Sequence, residues 1–144
     1  MNKLVKTLFL LALVGIISCN RVKTTQVVKA SYADGKPKVL TEYVEDEYGK
    51  KTLYKETHFF AGEKKYVERK FNSNGDMDGV CTSWYENGNK WSQAKYVNGK
   101  IDGKYRTWHP NGKLYIKGQY DMGRQVGTWE YYDTLGGKTR EERY

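Results

Sequence analysis

Hydrophobic and polar positions fall into two regimes along this chain. Residues 8–17 form a run of ten without a charged or polar side chain. After it, no such run recurs. Short stretches instead alternate aromatic or aliphatic residues with polar ones, the two-residue period of a half-buried strand. Glycines cut these stretches, three of them preceded by asparagine: Asn87-Gly88, Asn98-Gly99 and Asn111-Gly112. Asn-Gly between alternating runs is a strong hairpin signal, because the tightest hairpin turn needs positive φ at both central positions. The pattern predicts strands over 79–86, 90–97, 104–109, 114–121 and 128–133, followed by a terminal strand. Pro110 falls at a turn, where its missing donor costs nothing. No segment carries a helical period. The predicted class is all-β, a single open sheet or solenoid of antiparallel hairpins.

The hairpins repeat. Aligned on Gly79, Gly103 and Gly127, the units are spaced by 24 residues. Five residues on stand Trp84, Trp108 and Tyr132; nine on, Gly88, Gly112 and Gly136; seventeen on, Tyr96, Tyr120 and Tyr144; twenty on, Gly99 and Gly123. Gly79, Gly88, Gly99, Gly103, Gly112, Gly123 and Gly127 are therefore assigned to turns. Upstream the register loosens. Residues 71–79 parallel 96–103 with one extra residue, and 58–62 parallel 84–88. The chain divides into residues 1–18, a tether at 19–30, degenerate β repeats at 31–78 and regular repeats at 79–144.

Trp84, Tyr96, Tyr105, Trp108, Tyr120, Trp129 and Tyr132 are the predicted repeat core. Cys81 stands where later units place Tyr105 and Trp129, so it is expected to point into the stack as a small hydrophobe. Residues two and five places into a unit differ by three and cannot share one face of a straight strand. Either a bulge intervenes or both faces carry rings. Trp91 and Tyr115 hold equivalent places and are the candidate binding surface.

Composition sharpens this picture. Only 28 residues are Leu, Ile, Val or Phe, and ten of those lie in the first 17 positions. The remainder would read as disordered without its 13 Tyr, 4 Trp and all but one of its 4 Phe. A core made mostly of rings is therefore required. A mean hydropathy of −0.84 excludes a polytopic membrane protein. The formal charge of +8 is spread along the chain, which fits solvated strands that resist edge pairing. Nucleic acid is not an expected partner.

The N-terminus reads as an export signal. Lys3 and Lys6 precede the apolar run, whose length suits a signal and falls short of a membrane span. It ends in Ile16-Ile17-Ser18-Cys19, which resembles the bacterial lipobox. There the cysteine thiol takes a diacylglycerol thioether and the peptidase cuts before it. Residues 1–18 are then a lipoprotein signal peptide and Cys19 is the lipid attachment point. With Lys3 and Lys6 removed, the charge falls from +8 to +6. Asn20 follows the cysteine, and no acidic cluster does. By analogy with lipoprotein sorting this favours the periplasmic side of an outer membrane in a host with two membranes.

The two histidines, His58 and His109, form no His-x-x-x-His pair, and no Cys-x-x-Cys occurs, so no metal is expected. No phosphate loop or nucleophile elbow appears. Asn74-x-Asp76-x-Asp78-Gly79 copies the start of a calcium loop, but its twelfth position is Tyr85 where a bidentate Glu is required. The chain is expected to be no enzyme and to need no cofactor.

The order Gly-x-Trp/Tyr-x-x-Trp/Tyr, an Asn-Gly turn, Tyr, then x-x-Gly resembles the MORN repeat. The 24-residue spacing is similar to a bacterial variant often labelled as the antitoxin component of a toxin–antitoxin system. The resemblance implies a repeat scaffold and an antitoxin- or immunity-like protein partner. The expectation is a lipid-anchored envelope scaffold that binds a protein. The alternative is a glycan or peptidoglycan binder, which exposure of Trp91 and Tyr115 would favour.

Overall fold

The computed structural model describes residues 23–144. Ten strands follow one another: β1 (Lys23–Ser31), β2 (Pro37–Glu45), β3 (Lys51–Phe59), β4 (Lys65–Lys70), β5 (Gly79–Trp84), β6 (Lys90–Val97), β7 (Lys100–Trp108), β8 (Leu114–Asp121), β9 (Arg124–Tyr132) and β10 (Lys138–Arg143). Each pairs antiparallel with the next, giving one open sheet in the order β1 to β10. The all-β repeat sheet expected from the sequence is what the chain forms. At about 4.8 Å per strand the nine spacings carry β10 roughly 43 Å from β1.

Two corrections concern strand limits. Residues 23–30, assigned to the tether, lie within β1, paired with β2 from Lys23↔Glu45 onward. β1 escaped the sequence reading because it holds no aromatic landmark; its β-branched Thr24, Thr25, Val27 and Val28 suit a strand. Second, Gly79, Gly103 and Gly127 do not sit at turns. Gly79 opens β5, paired with Tyr96. Gly103 and Gly127 lie inside β7 and β9, at irregularities where three residues face one, between the pairs Ala94↔Tyr105 and Tyr96↔Ile101 and between Lys117↔Glu130 and Gln119↔Val126.

Turns come in two kinds. Seven are five-residue loops closed by two backbone hydrogen bonds; in Tyr85–Asn89 the Tyr85 N–H donates to Asn89 at 2.8 Å and Gly88 N–H donates to Tyr85 at 2.9 Å. The other two, Asn98-Gly99 and Met122-Gly123, are two-residue turns with positive φ at both positions, 48° and 79°, then 46° and 93°. Each is tied to the preceding unit. Gly99 and Gly123 N–H donate to Met77 and Ile101, both at 2.8 Å. Asp78 and Asp102 accept from the Asn98 and Met122 amides at 3.2 and 3.4 Å. The aspartate before each repeat glycine thus holds the next tight turn. Val126 stands in that place before Gly127, and Gly127 exchanges two backbone hydrogen bonds with Tyr144.

Met122 pays for its left-handed φ, a conformation that asparagine tolerates better. Met122→Asn is expected to stabilise the protein by about 1 kcal/mol, read as a higher urea midpoint with unchanged m. A lower midpoint would show that the Met122 side chain contributes more than its backbone costs.

Both faces of the sheet carry rings. β5 runs without interruption, so Cys81 and Trp84 project to opposite sides. The irregularity lies on the partner strand, where Trp91 is the extra residue between the pairs Trp84↔Lys90 and Ser83↔Ser92. Tyr66 and Tyr115 are extra residues at the same point of β4 and β8.

On one face the rings of Tyr105, Tyr120 and Trp129 form a cluster with centroids 5.1–5.6 Å apart. Of the predicted core only Trp129 is fully buried, at 2% exposure. Tyr96, Tyr105 and Tyr120 are half-buried on that face. Trp84, Trp108 and Tyr132 are not part of this cluster. They lie half-buried on the opposite face beneath Lys65, Lys90 and Lys117, whose ammonium groups stand 5.7, 5.8 and 5.7 Å from the ring centroids. A single-layer sheet has no second layer to enclose a core, so cross-strand pairs stabilise it.

Candidate functional site

The face with Trp129 is built from rows of side chains that the register aligns across the strands. One row runs through Cys81, Ala94, Tyr105 and Gly118. Trp129 follows, its indole lying over Gly118. The next row runs through Val67, Ser83, Ser92, Thr107, Ile116 and Tyr131. Across β7 to β9 these rows carry the bulk of Tyr105, Ile116, Trp129 and Tyr131. Across β5 and β6 they hold only Cys81, Ser83, Ser92 and Ala94. Four small residues side by side leave a hollow of ≈ 430 Å³, walled by Tyr66 and Trp91 at one end, Tyr96 and Tyr105 at the other, and Arg69 at the side.

Cys81 therefore shares the face of Tyr105 and Trp129 but is only half-buried, at the floor of this hollow. The expectation of a side chain packed into the stack is corrected to that extent: the neighbouring rings leave it partly open. Burial pushes its thiol pKa up, with Arg69 acting weakly the other way, so the thiol is not activated as a nucleophile. Burial likewise raises Tyr96 and Tyr105, helped by the Cys81 thiol at Tyr96 and by neighbouring phenols at Tyr105. Both stay neutral hydrogen-bonding groups at physiological pH. Arg69 stands 3.7 Å from Glu56, which accepts a hydrogen bond from His58 at 2.6 Å.

Along the turn end of the same sheet runs a second feature that the sequence only half revealed. In three of the five loops on this side the first residue reaches forward to the next hairpin. The hydroxyls of Tyr32 and Tyr85 donate to the backbone carbonyls of Phe59 and Trp108 at 2.7 and 2.9 Å. His109 Nε2 is 2.9 Å from the Tyr132 carbonyl; a carbonyl only accepts, so this nitrogen carries the proton. On these forward-leaning rings lie the extra residues of the returning strands. Tyr66 meets Phe60 at 5.1 Å, Trp91 meets Tyr85 at 6.3 Å and Tyr115 meets His109 at 4.6 Å between centroids.

Trp91 and Tyr115, the candidate surface, are both 44% exposed, and Tyr66 is 41% exposed. They sit on β6, β8 and β4, two strands apart, so the three rings recur at about 10 Å. Tyr66 was missed because the upstream alignment was one residue out. Phe59, not His58, is the counterpart of Trp84, since Phe59 pairs with Lys65 as Trp84 pairs with Lys90. Glu63, with φ 67°, stands in the loop place that Gly88 fills in the next unit. Counting six residues from the loop's first position, as from Tyr85 to Trp91, would have found it.

Among the described residues no group of three or more His, Cys, Asp and Glu side chains is placed to hold a metal ion. The calcium-like stretch has other work: Asn72 Oδ1 accepts from the amides of Asn74 and Asp76, and Asp78 holds Asn98. Cys19 lies outside the described residues.

Residues 77–98 and 101–122 match the family model of the MORN repeat variant. No curated protein matches the chain. The matched segments cover the hairpins β5–β6 and β7–β8; the hairpins β1–β2, β3–β4 and β9–β10 repeat their antiparallel plan outside the matched residues.

Proposed function

We propose that this protein is a non-enzymatic, lipid-anchored scaffold of the bacterial cell envelope that holds another macromolecule on the face bearing Tyr66, Trp91 and Tyr115. The observation that carries this reading is the regular exposure of those three rings on a single-layer sheet. Repeats stacked into an extended array make long surfaces rather than enclosed clefts, which serves binding better than catalysis. The competing occupant is a partner protein in an antitoxin- or immunity-like role. Exposure of both Trp91 and Tyr115 favours a glycan instead.

Anchoring at Cys19 gives the scaffold a definite geometry. With Lys23 already in β1, at most four residues, 19–22, lie between a lipid on Cys19 and the sheet. Four residues span at most about 14 Å. β1 would then be held close to the bilayer, and the exposed rings would be carried outward along the sheet. The outer membrane, facing the periplasm, is the proposed site in a host with two membranes.

The test is metabolic labelling with a fatty acid, followed by fractionation of the native protein and Cys19→Ala. Label and membrane association should both vanish in the variant. Crosslinking the native protein in its host and identifying what is recovered reads the occupant. If Cys19→Ala remains in the membrane fraction unchanged, the anchoring half of the proposal fails.

A further inference from the structure

We infer that the hollow floored by Cys81, Ser83, Ser92 and Ala94 is a sugar-binding subsite, and that Tyr66, Trp91 and Tyr115 carry the neighbouring units of one pyranose chain across the sheet. This rests on the scaffold reading above and names its ligand.

The first argument is periodicity. Three exposed rings recur at about 10 Å, set by the two-strand repeat. A polymer with its own short, regular repeat can satisfy all three at once, whereas the surface of a folded protein has no reason to. The second is chemistry. A pyranose presents C–H groups on its flat faces and hydroxyls around its rim. An aromatic face is electron-rich and attracts the former. Two serines, the phenols of Tyr96 and Tyr105 and the Arg69 guanidinium surround the hollow with donors and acceptors for the latter. Arg69 keeps one long contact to Glu56, 3.7 Å, so its fork is not consumed by that partner. The third is size. A volume of ≈ 430 Å³ lies in the range of small-ligand sites.

The hollow has a specific origin in the sequence. Cys81 is where the next units place Tyr105 and Trp129. A ring there would occupy the space, as those rings do across β7 and β9. The departure from the repeat thus opens the site, and restoring the ring should close it.

The experiment uses the full-length protein in detergent, titrated calorimetrically with two probes: a soluble tetramer of β-1,4-linked N-acetylglucosamine, and longer peptidoglycan glycan strands freed of their peptides by an amidase. At least one should bind. Trp91→Ala should weaken it by about tenfold or more, the loss of one well-placed ring. Cys81→Tyr should abolish binding while the circular-dichroism spectrum and urea midpoint remain those of a folded sheet. Tyr115→Ala should weaken the longer strands more than the tetramer.

Binding of neither probe by the native protein overturns the inference. So does binding that Trp91→Ala and Cys81→Tyr leave intact. Recovery of a protein crosslinked through position 91, without sugar binding, would assign the hollow to a side chain of that protein. Membrane anchoring is read separately through Cys19, so sugar binding can fail while the anchored scaffold stands.

Discussion

Trp129→Ala is expected to cost about 4 kcal/mol, the scale for deleting a large buried ring. Trp129 is the one large side chain fully buried among the described residues, at 2% exposure. Its indole packs against Tyr105 at 5.6 Å, Tyr120 at 5.1 Å and the C-terminal Tyr144 at 6.3 Å. It therefore ties β7, β8 and β9 to the last residue of the chain. In a repeat array each unit contacts only its neighbours, so the loss should be local. Amide hydrogen exchange should show β8, β9 and β10 losing protection while β2 to β5 keep theirs, and the urea transition should broaden or split. Trp129→Phe should cost far less, because the indole N–H has no hydrogen-bond partner to lose. A single, uniformly shifted transition in Trp129→Ala would show that the ten strands unfold as one unit, against the nearest-neighbour account.

How far the sequence foretold this arrangement depends on which forces set each feature. The hairpins from Gly79 onward were legible because their turns are short and require glycine or asparagine, so backbone sterics wrote themselves into residue identity. β6 and β8 have the limits that the sequence pattern placed. Upstream the same fold is written in looser terms. The left-handed residues Gly35, Glu63, Gly88, Gly112 and Gly136 mark one side of the sheet. Their spacing shrinks from 28 to 25 and then 24 residues. β2 and β3 are nine residues long and β4 and β5 six, and the far ends of those strands close with five-residue loops where later units use two. A fixed period cannot follow such changes, and Glu63 in glycine's place shifted the upstream alignment by one residue.

Side-chain direction was less legible still. Trp84 and Trp129 look alike in the repeat, yet one lies under a lysine and the other is the buried centre of a ring cluster. The distinction is set by parity along the strand, and parity alone leaves open which face is covered. The hollow was invisible for a related reason. It arises from small residues on two adjacent strands, Cys81 and Ser83 on β5 with Ser92 and Ala94 on β6, and these become neighbours only when the register is known.

Gly118→Ala is expected to destabilise the protein by about 3 kcal/mol, at the upper end of what overpacking costs. Gly118 belongs to no turn and has no positive φ, so the usual reason for a glycine is absent. Its reason is contact. A Cβ there would overlap the ring atoms of the Trp129 indole, well inside van der Waals distance. One repeat earlier the same place is Ala94, paired with Tyr105 on the following strand. Alanine stands beside that phenol, whereas beneath the Trp129 indole the space is taken and only glycine fits. The pair should behave as one unit. In a double-mutant cycle read by urea unfolding, Trp129→Ala should cost about 2 kcal/mol less in the Gly118→Ala background than alone, because the clash goes with the ring. Additive costs would mean that Gly118 matters through its backbone freedom. A Gly118→Ala protein as stable as the native one would mean that the indole does not rest on β8, and the packing of the whole C-terminal half would need to be redrawn.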